Sequence, residues 1–337
     1  MRILIATDAW APQVNGVVTT LQNTVRELHA LGHDVGLVTP QSFRTIPCPT
    51  YPEIGLALAR QAKVGRMIDE FDPDAVHIAT EAPIGLAARR HCLRMGQPFT
   101  TAFHTQFPEY VRARCGLPVS LTYRWLRWFH GPATAVMVAT REIERRLKAH
   151  AFTNLAHWSR GVDTELFMPA ERGDRRTRKP IFLYAGRVAV EKNIEAFLSL
   201  DLPGKKWVVG DGPARAGLEL KYPEVAFFGT QLGANLVHFF QQADVLVFPS
   251  RTDTFGLVLI EAMACGTPVA AFPVTGPIDV VRNGAAGILS ADLRSAALAA
   301  IDLDRAAVRR YALQFSWKAA TRQFLQNLAP LPQTVAA

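Results

Sequence analysis

Two acids, Asp253 and Glu261, stand with seven residues between them in Asp253-Thr254-Phe255-Gly256-Leu257-Val258-Leu259-Ile260-Glu261. Carboxylates accept hydrogen bonds from vicinal hydroxyls, so two of them at one ligand suit a sugar and a ribose, each bond contributing roughly 1.5–3 kcal/mol where sheltered. If Phe255-Gly256 opens a helix, Glu261 lies inside it and Asp253 before its start. The amides of Phe255, Gly256 and Leu257 then suit a diphosphate. Some sixty residues earlier, Gly186-Arg187-Val188-Ala189-Val190-Glu191-Lys192-Asn193 sets a guanidinium and an ammonium around a glycine turn. A planar fork and a point charge are a common pairing around phosphate oxygens. Either stretch alone is ambiguous: a helix cap gives the same acid spacing, and an ordinary surface loop carries the same cations. His104 has the same two readings, as a packed or capping residue or as a group at the end of the run Phe99-Thr100-Thr101-Ala102-Phe103.

These residues need elements to hold them. Arg2-Ile3-Leu4-Ile5-Ala6-Thr7 is the apolar run of a strand buried on both faces of a parallel sheet. A Pro/Gly/Asn loop follows, then a helical stretch from Val17 to Leu31 stopped at Gly32, then a strand at Asp34–Thr39. Strand patterns return at Ala75–Ile78, Phe99–Phe103 and Ala135–Val138. The rhythm breaks over Val162–Arg178, where Pro169 and Glu171-Arg172-Gly173-Asp174-Arg175-Arg176 suggest a linker. It restarts at Ile181–Gly186, Lys206–Gly210, Val225–Gly229 and Val245–Phe248. A length of 337 residues is natural for two such domains. The predicted fold class is therefore α/β, with two Rossmann-like, doubly wound parallel-sheet domains and a ligand cleft between them at the carboxyl ends of their strands. The expected division is 1–165 and 166–337, with a final helix at 317–328 that packs back on the first domain.

In order, spacing and strand context, the two loops together resemble the retaining glycosyltransferases of family 4, which have the GT-B fold. Further segments carry the resemblance along nearly the whole chain. They are Pro12-Gln13-Val14-Asn15-Gly16-Val17, His104-Thr105-Gln106-Phe107-Pro108-Glu109-Tyr110, Gly161-Val162-Asp163-Thr164-Glu165-Leu166-Phe167, Gly210-Asp211-Gly212-Pro213 and Ala262-Met263-Ala264-Cys265-Gly266-Thr267-Pro268-Val269. The resemblance implies that Arg187 and Lys192 bind the donor diphosphate and stabilise its charge as it leaves. Glu261 holds the ribose hydroxyls, and Asp253 meets the donor sugar beside the amides of Phe255, Gly256 and Leu257. Gly16 lets the N-terminal loop approach the phosphates or the acceptor, and His104 reaches the sugar from the first domain. The family's first acid is commonly Glu; Asp253 is a methylene shorter, which alters hydroxyl contacts and leaves the donor sugar open. The resemblance implies same-face attack with no side-chain nucleophile, no metal and no cofactor, a GDP- or UDP-sugar being the co-substrate. Base recognition is expected around Gly229-Thr230.

Charge bears on the acceptor. Eleven basic residues against three acids between Ala82 and Lys148 give that window +8, as much as the whole chain. Such a patch suits phospholipid headgroups, nucleic acid or a phosphorylated substrate, and reads equally as a solvated basic face. Arg112, Arg114, Arg124, Trp125, Arg127 and Trp128 mix arginine with tryptophan as a helix on an anionic bilayer does, although an amphipathic core helix has the same pattern. The N-terminal pattern resembles the branch of the family that glycosylates membrane lipids. Four cysteines without a Cys-x-x-Cys pair argue against structural zinc and a secreted disulfide framework. The N-terminal apolar run meets Asp8 too early for a signal peptide. The longest uncharged stretch, Ala262–Ile278, carries three prolines and falls short of a membrane span. The expectation is a cytoplasmic protein, peripheral on the inner face of the cell membrane, acting on a lipid or glycan. Two rival classes are a GT-B sugar-nucleotide 2-epimerase and a non-enzymatic protein that binds nucleic acid or membrane; the aromatics form one cluster rather than a stacking surface, and no nucleic-acid motif is present.

Overall fold

The computed structural model describes residues 1–48, 51–171 and 179–331. The chain divides into two compact units, Met1–Ser159 with Trp317–Ala337, and Arg160–Ser316. The expected linker from Arg172 onward lies outside the described residues, as does the side chain of Arg114.

In unit 1 the strands are β1 (Arg2–Ala6), β2 (Asp34–Val38), β3 (Thr45–Cys48), β4 (Tyr51–Ala57), β5 (Ala75–Ile78), β6 (Thr100–Ala102), β7 (Ala135–Val138) and β8 (Leu155–His157). Six of them form a sheet in the order β2-β1-β5-β6-β7-β8, every neighbouring pair parallel. Its helices are α1 (Gly16–Ala30), α2 (Gln61–Phe71), α3 (Pro83–Met95), α4 (Phe107–Cys115), α5 (Val119–His130) and α6 (Arg141–Ala149). Asn15 starts α1 by accepting the Val17 and Val18 amides, both at 3.0 Å. Leu4, Val76, Ile78, Ile84, Phe99 and Phe129 lie together in one core; fully burying a side chain of this size contributes about 1.5–3 kcal/mol.

Unit 2 carries β9 (Ile181–Ala185), β10 (Lys205–Val209), β11 (Ala226–Phe227), β12 (Val245–Phe248), β13 (Val269–Ala271) and β14 (Gly287–Leu289). They form one parallel sheet in the order β11-β10-β9-β12-β13-β14. Its helices are α7 (Glu195–Leu198), α8 (Arg215–Lys221), α9 (Gly233–Gln242), α10 (Leu257–Ala264), α11 (Pro277–Val280), α12 (Leu293–Ala300) and α13 (Arg305–Ala312). β9 and β12 are buried along their whole length, as their unbroken apolar runs require. The last helix, α14 (Trp317–Asn327), belongs to unit 1, where Phe324 sits 4.9 Å from the His77 ring and 5.0 Å from Trp158.

The nine strands expected from the sequence are present, with five further ones among the described residues. β13 and β14 are three residues each, the first within the uncharged stretch after Pro268, too short for a period to show. β8 is a three-residue edge strand, and β3 with β4 forms an antiparallel hairpin outside the main sheet. No helix among the described residues is long and apolar enough to cross a membrane.

Candidate donor-binding site

The sheet of unit 2 changes direction between β9 and β12. From β9 the chain winds outward through β10 and β11, then returns to lay β12 on the other side of β9. At such a switch point the loops leaving the two strands diverge and open a crevice at their carboxyl ends. The loop leaving β9 is Gly186–Asn193, and the loop leaving β12 is Pro249–Gly256. The two stretches singled out by their chemistry are thus the two lips of one crevice.

Side-chain contacts join the lips. Asn193 donates its Nδ2–H to the carbonyl of Pro249 at 3.0 Å, and Thr252 Oγ1 donates to the carbonyl of Glu191 at 3.0 Å. Lys192 Nζ lies 2.5 Å from Asp253 Oδ1, with only 19% and 18% of the two side chains exposed. Asn193 is left-handed, at φ 53°, a conformation that Asn tolerates better than most residues. Asn193 and Thr252 were not anticipated from the sequence. The signal for Asn193 was its place directly after Lys192, and Thr252 gave none.

A third segment buttresses the first lip. Val188 N–H donates to the carbonyl of Asp211 at 2.9 Å, and Tyr184 Oη–H to that of Arg187 at 2.6 Å. Gly210, at φ +140°, comes so close that a Cβ there would stand 1.8 Å from the carbonyl oxygen of Gly186. Only glycine permits that approach, which explains the Gly210-Asp211-Gly212 turn. Arg187, whose backbone this packing fixes, is half-buried.

The second lip feeds α10. Gly256 is its N-cap residue, and among the described residues no side chain caps the helix or claims its first amides. Phe255 is 5% exposed with its ring edge-on to Phe315, so it anchors the loop in the core while its backbone stays at the helix start. Leu257 is half-buried one position on. Glu261 follows one turn later. Among the described residues nothing hydrogen-bonds its carboxylate, and burial raises its pKa from 4.5 to about 7. A sheltered acceptor of this kind favours hydroxyl donors. The structure therefore brings Arg187, Lys192, Asp253, Phe255, Gly256, Leu257 and Glu261 to one switch point, with Lys192 and Asp253 on each other rather than standing apart.

Gly16 and His104 lie in unit 1. Gly16 is exposed and opens α1 directly after the Asn15 cap. His104 follows β6 at its carboxyl end, half-buried, its ring edge-on to Trp158 with centroids 5.6 Å apart. Sequence reasoning gave Asp8 no role, yet it organises the switch point of this unit, between β1 and β5. Its carboxylate accepts the Ile84 amide at 2.9 Å, the Gly85 amide at 3.2 Å and the Thr80 hydroxyl at 2.9 Å.

The basic window divides. Arg89 is buried under Trp128, 4.1 Å from the ring, and donates to the carbonyls of Trp128 and Phe129. Arg145, Arg146 and Lys148 pair with Glu142, Glu109 and Glu144. Arg127 is exposed and donates to the carbonyl of His150 at 3.0 Å. Leu121, Arg124, Trp125 and Trp128 are spaced as one stripe of α5, opposite the buried Thr122, Leu126, Phe129 and His130. Leu121 and Trp128 are 46% and 49% exposed and Arg124 is exposed, whereas Trp125 is half-buried against Phe129 and Phe107. Arg112 borders a cavity of about 450 Å³ with Glu109, Val119, Arg146 and His150.

Comparison with known proteins agrees with this geometry. A family model described as Glycosyltransferase Family 4 matches residues 14–166, and one described as Glycosyl transferases group 1 matches 179–303. A GDP-mannose-dependent alpha-mannosyltransferase of Mycolicibacterium smegmatis is 29% identical over 316 residues, 86% of this chain and 84% of the relative. Sulfoquinovosyl transferase SQD2 of Arabidopsis thaliana is 31% identical over 309 residues, 82% of this chain and 61% of its own length. In fold, the chain is similar to sucrose-phosphate synthase from Thermosynechococcus elongatus, with TM-score 0.74, 21% identity and coverage of 96% and 97% of the two chains. It is also similar to HepE of Anabaena, solved with UDP-glucose, with TM-score 0.73, 16% identity and coverage of 97% and 98%. With two parallel-sheet Rossmann-like units of the GT-B type and a matching segment in each, the chain belongs to the family 4 glycosyltransferases.

Proposed function

We propose that the protein transfers a hexose, with mannose the first candidate and glucose or a uronate next, from a GDP- or UDP-sugar to a hydroxyl of a membrane lipid. Anomeric configuration is retained, and neither metal ion nor cofactor takes part. The observation that carries this reading is the crevice between β9 and β12, whose one lip carries Arg187 and Lys192 and whose other lip carries Asp253 and leads into α10, with Glu261 one turn along that helix. Arg187 and Lys192 hold the diphosphate, Glu261 accepts the ribose hydroxyls, and Asp253 accepts a hydroxyl of the sugar.

In the reaction the bond from the anomeric carbon to the diphosphate oxygen breaks, and a bond to the acceptor oxygen forms on the same face. The acceptor proton passes to a diphosphate oxygen. Charge develops on the leaving diphosphate, where a fixed guanidinium, an ammonium and helix-start amides stabilise it; removing one such donor elsewhere costs roughly 10²–10³ in rate.

The 29% identity to a GDP-mannose-dependent relative favours mannose, and the lipid acceptor rests on the resemblance of the N-terminal pattern to the lipid-glycosylating branch. The α5 stripe of Leu121, Arg124 and Trp128, with Arg112 nearby in sequence, suits an anionic bilayer on the cytoplasmic side. The test offers labelled GDP-mannose and UDP-glucose to bacterial lipid extract in EDTA. Label appearing in an organic-phase glycolipid with the donor's anomeric configuration supports the proposal. Donor epimerised or hydrolysed without any acceptor product contradicts it. Leu121→Ala/Arg124→Ala/Trp128→Ala should lose binding to anionic vesicles; unchanged binding removes the bilayer from the account.

A further inference from the structure

We infer that Asp253 is a built-in competitor of the nucleoside diphosphate product, so that the Lys192–Asp253 pair lets the site prefer an intact sugar donor over spent product. The inference rests on the donor site proposed above. Lys192 Nζ and Asp253 Oδ1 are 2.5 Å apart and mostly shielded from water, so the ammonium already has an anion in contact. A diphosphate that claims Lys192 must displace that carboxylate.

The pair is not what ties the lips of the crevice together. Asn193 on Pro249 and Thr252 on Glu191 already do so from either side of Lys192. The ion pair can therefore open while the loops stay in register. What the displaced carboxylate meets next decides the outcome. With a nucleotide sugar bound, the hydroxyls of the sugar donate to Asp253 and compensate it for the lost ammonium. With the nucleoside diphosphate alone those hydroxyls are gone, and Asp253 competes with phosphate for Lys192. Asp suits this exchange because its short side chain meets Lys192 without leaving its own loop.

The experiment is calorimetric titration of the full chain with GDP and GDP-mannose, and with UDP and UDP-glucose. Wild type, Asp253→Asn, Asp253→Ser and Lys192→Ala are compared, each checked for an unchanged melting temperature. Asn keeps the shape and removes the charge; Ser serves as the second variant should Asn perturb the loop. The expected result is that Asp253→Asn binds the nucleoside diphosphate about tenfold more tightly than wild type, the change that about 1.4 kcal/mol makes. Affinity for the sugar nucleotide stays level or falls, so the preference for donor over product shrinks. Adding Lys192→Ala to Asp253→Asn should erase the gain. An Asp253→Asn or Asp253→Ser protein that binds the diphosphate no more tightly than wild type, while Lys192→Ala weakens binding, overturns the inference and leaves the donor site standing. A wild type and a Lys192→Ala protein that bind every nucleotide alike overturn the donor site itself.

Discussion

Each unit winds a parallel sheet outward from its first strand and then returns to that strand's other side, after one outer strand in unit 1 and two in unit 2, and the two use this switch point in opposite ways. In unit 1 the helix after β5 is α3, and the loop after the neighbouring β1 sends a carboxylate, Asp8, onto its first amides. In unit 2 the helix after β12 is α10, and the loop after the neighbouring β9 sends an ammonium, Lys192, onto Asp253 in the loop that leads into that helix. A helix start attracts an anion because its leading N–H groups lack partners. Unit 1 supplies that anion from its own chain and so closes the position to a ligand. Among the described residues unit 2 leaves α10 without a side-chain cap, and the loop from β9 sets Lys192 against Asp253 just ahead of the helix. On the proposed reading, the residue type that the first βα loop presents separates a scaffold from a phosphate site.

The largest effect expected from this contrast is catalytic. Lys192→Ala and Arg187→Ala should each lower turnover by roughly 10²–10³ with little change in melting temperature. Asp8→Ala should lower the melting temperature instead and leave affinity for the diphosphate untouched. Measuring both quantities on all three proteins breaks the comparison if the effects are exchanged.

Two glycines sharpen it. A Cβ on Gly210 would stand 1.8 Å from the Gly186 carbonyl oxygen, and one on Gly85 would stand 1.8 Å from that of Thr80. Each change to alanine should destabilise by about 3 kcal/mol or more, since backbone must move. Gly210→Ala should also weaken nucleotide binding in calorimetry, because it displaces the loop of Arg187; Gly85→Ala should not.

The pH dependence differs in kind. Burial is the main cause that raises Asp8 from 3.8 to about 6, against the opposing hydrogen bonds from Ile84, Gly85 and Thr80. The folded state therefore binds the Asp8 proton more tightly than the unfolded state does. Its contribution to stability is greatest below about pH 4 and is lost as pH rises through 6, about 3 kcal/mol across the window. Denaturant titrations of wild type and Asp8→Asn should diverge over that range. Glu261 is raised to about 7 by burial. Ribose hydroxyls stabilise its charged form, so donor affinity should rise severalfold from pH 6 to 8 in wild type and stay flat in Glu261→Gln.

Much of this contrast was legible in the sequence. The unbroken apolar runs of β1, β9 and β12 announced buried parallel strands, and the acid spacing with the Arg187–Lys192 loop marked the crevice. Other parts could not be read there. The Asp253–Lys192 contact joins residues 61 positions apart, and no local pattern records which cation a carboxylate meets. Asp8 read only as the residue that ended an apolar run, since its partners, Thr80 and the α3 amides, come more than seventy residues later. β13 and β14 are too short to show a period, and the hairpin of β3 and β4 lies apart from the sheet.

The central claim is that the switch point of unit 2 binds a donor diphosphate through Arg187 and Lys192. The most direct measurement is a thermal-shift panel of UDP, GDP, ADP and their sugar conjugates on wild type and on Arg187→Ala/Lys192→Ala. A nucleotide at a hundred times its dissociation constant should stabilise the wild type by about 2.7 kcal/mol. The account predicts that one base raises the wild-type melting temperature by several degrees and that the double variant shows no rise. Equal shifts in both proteins, or none with any nucleotide, would contradict it.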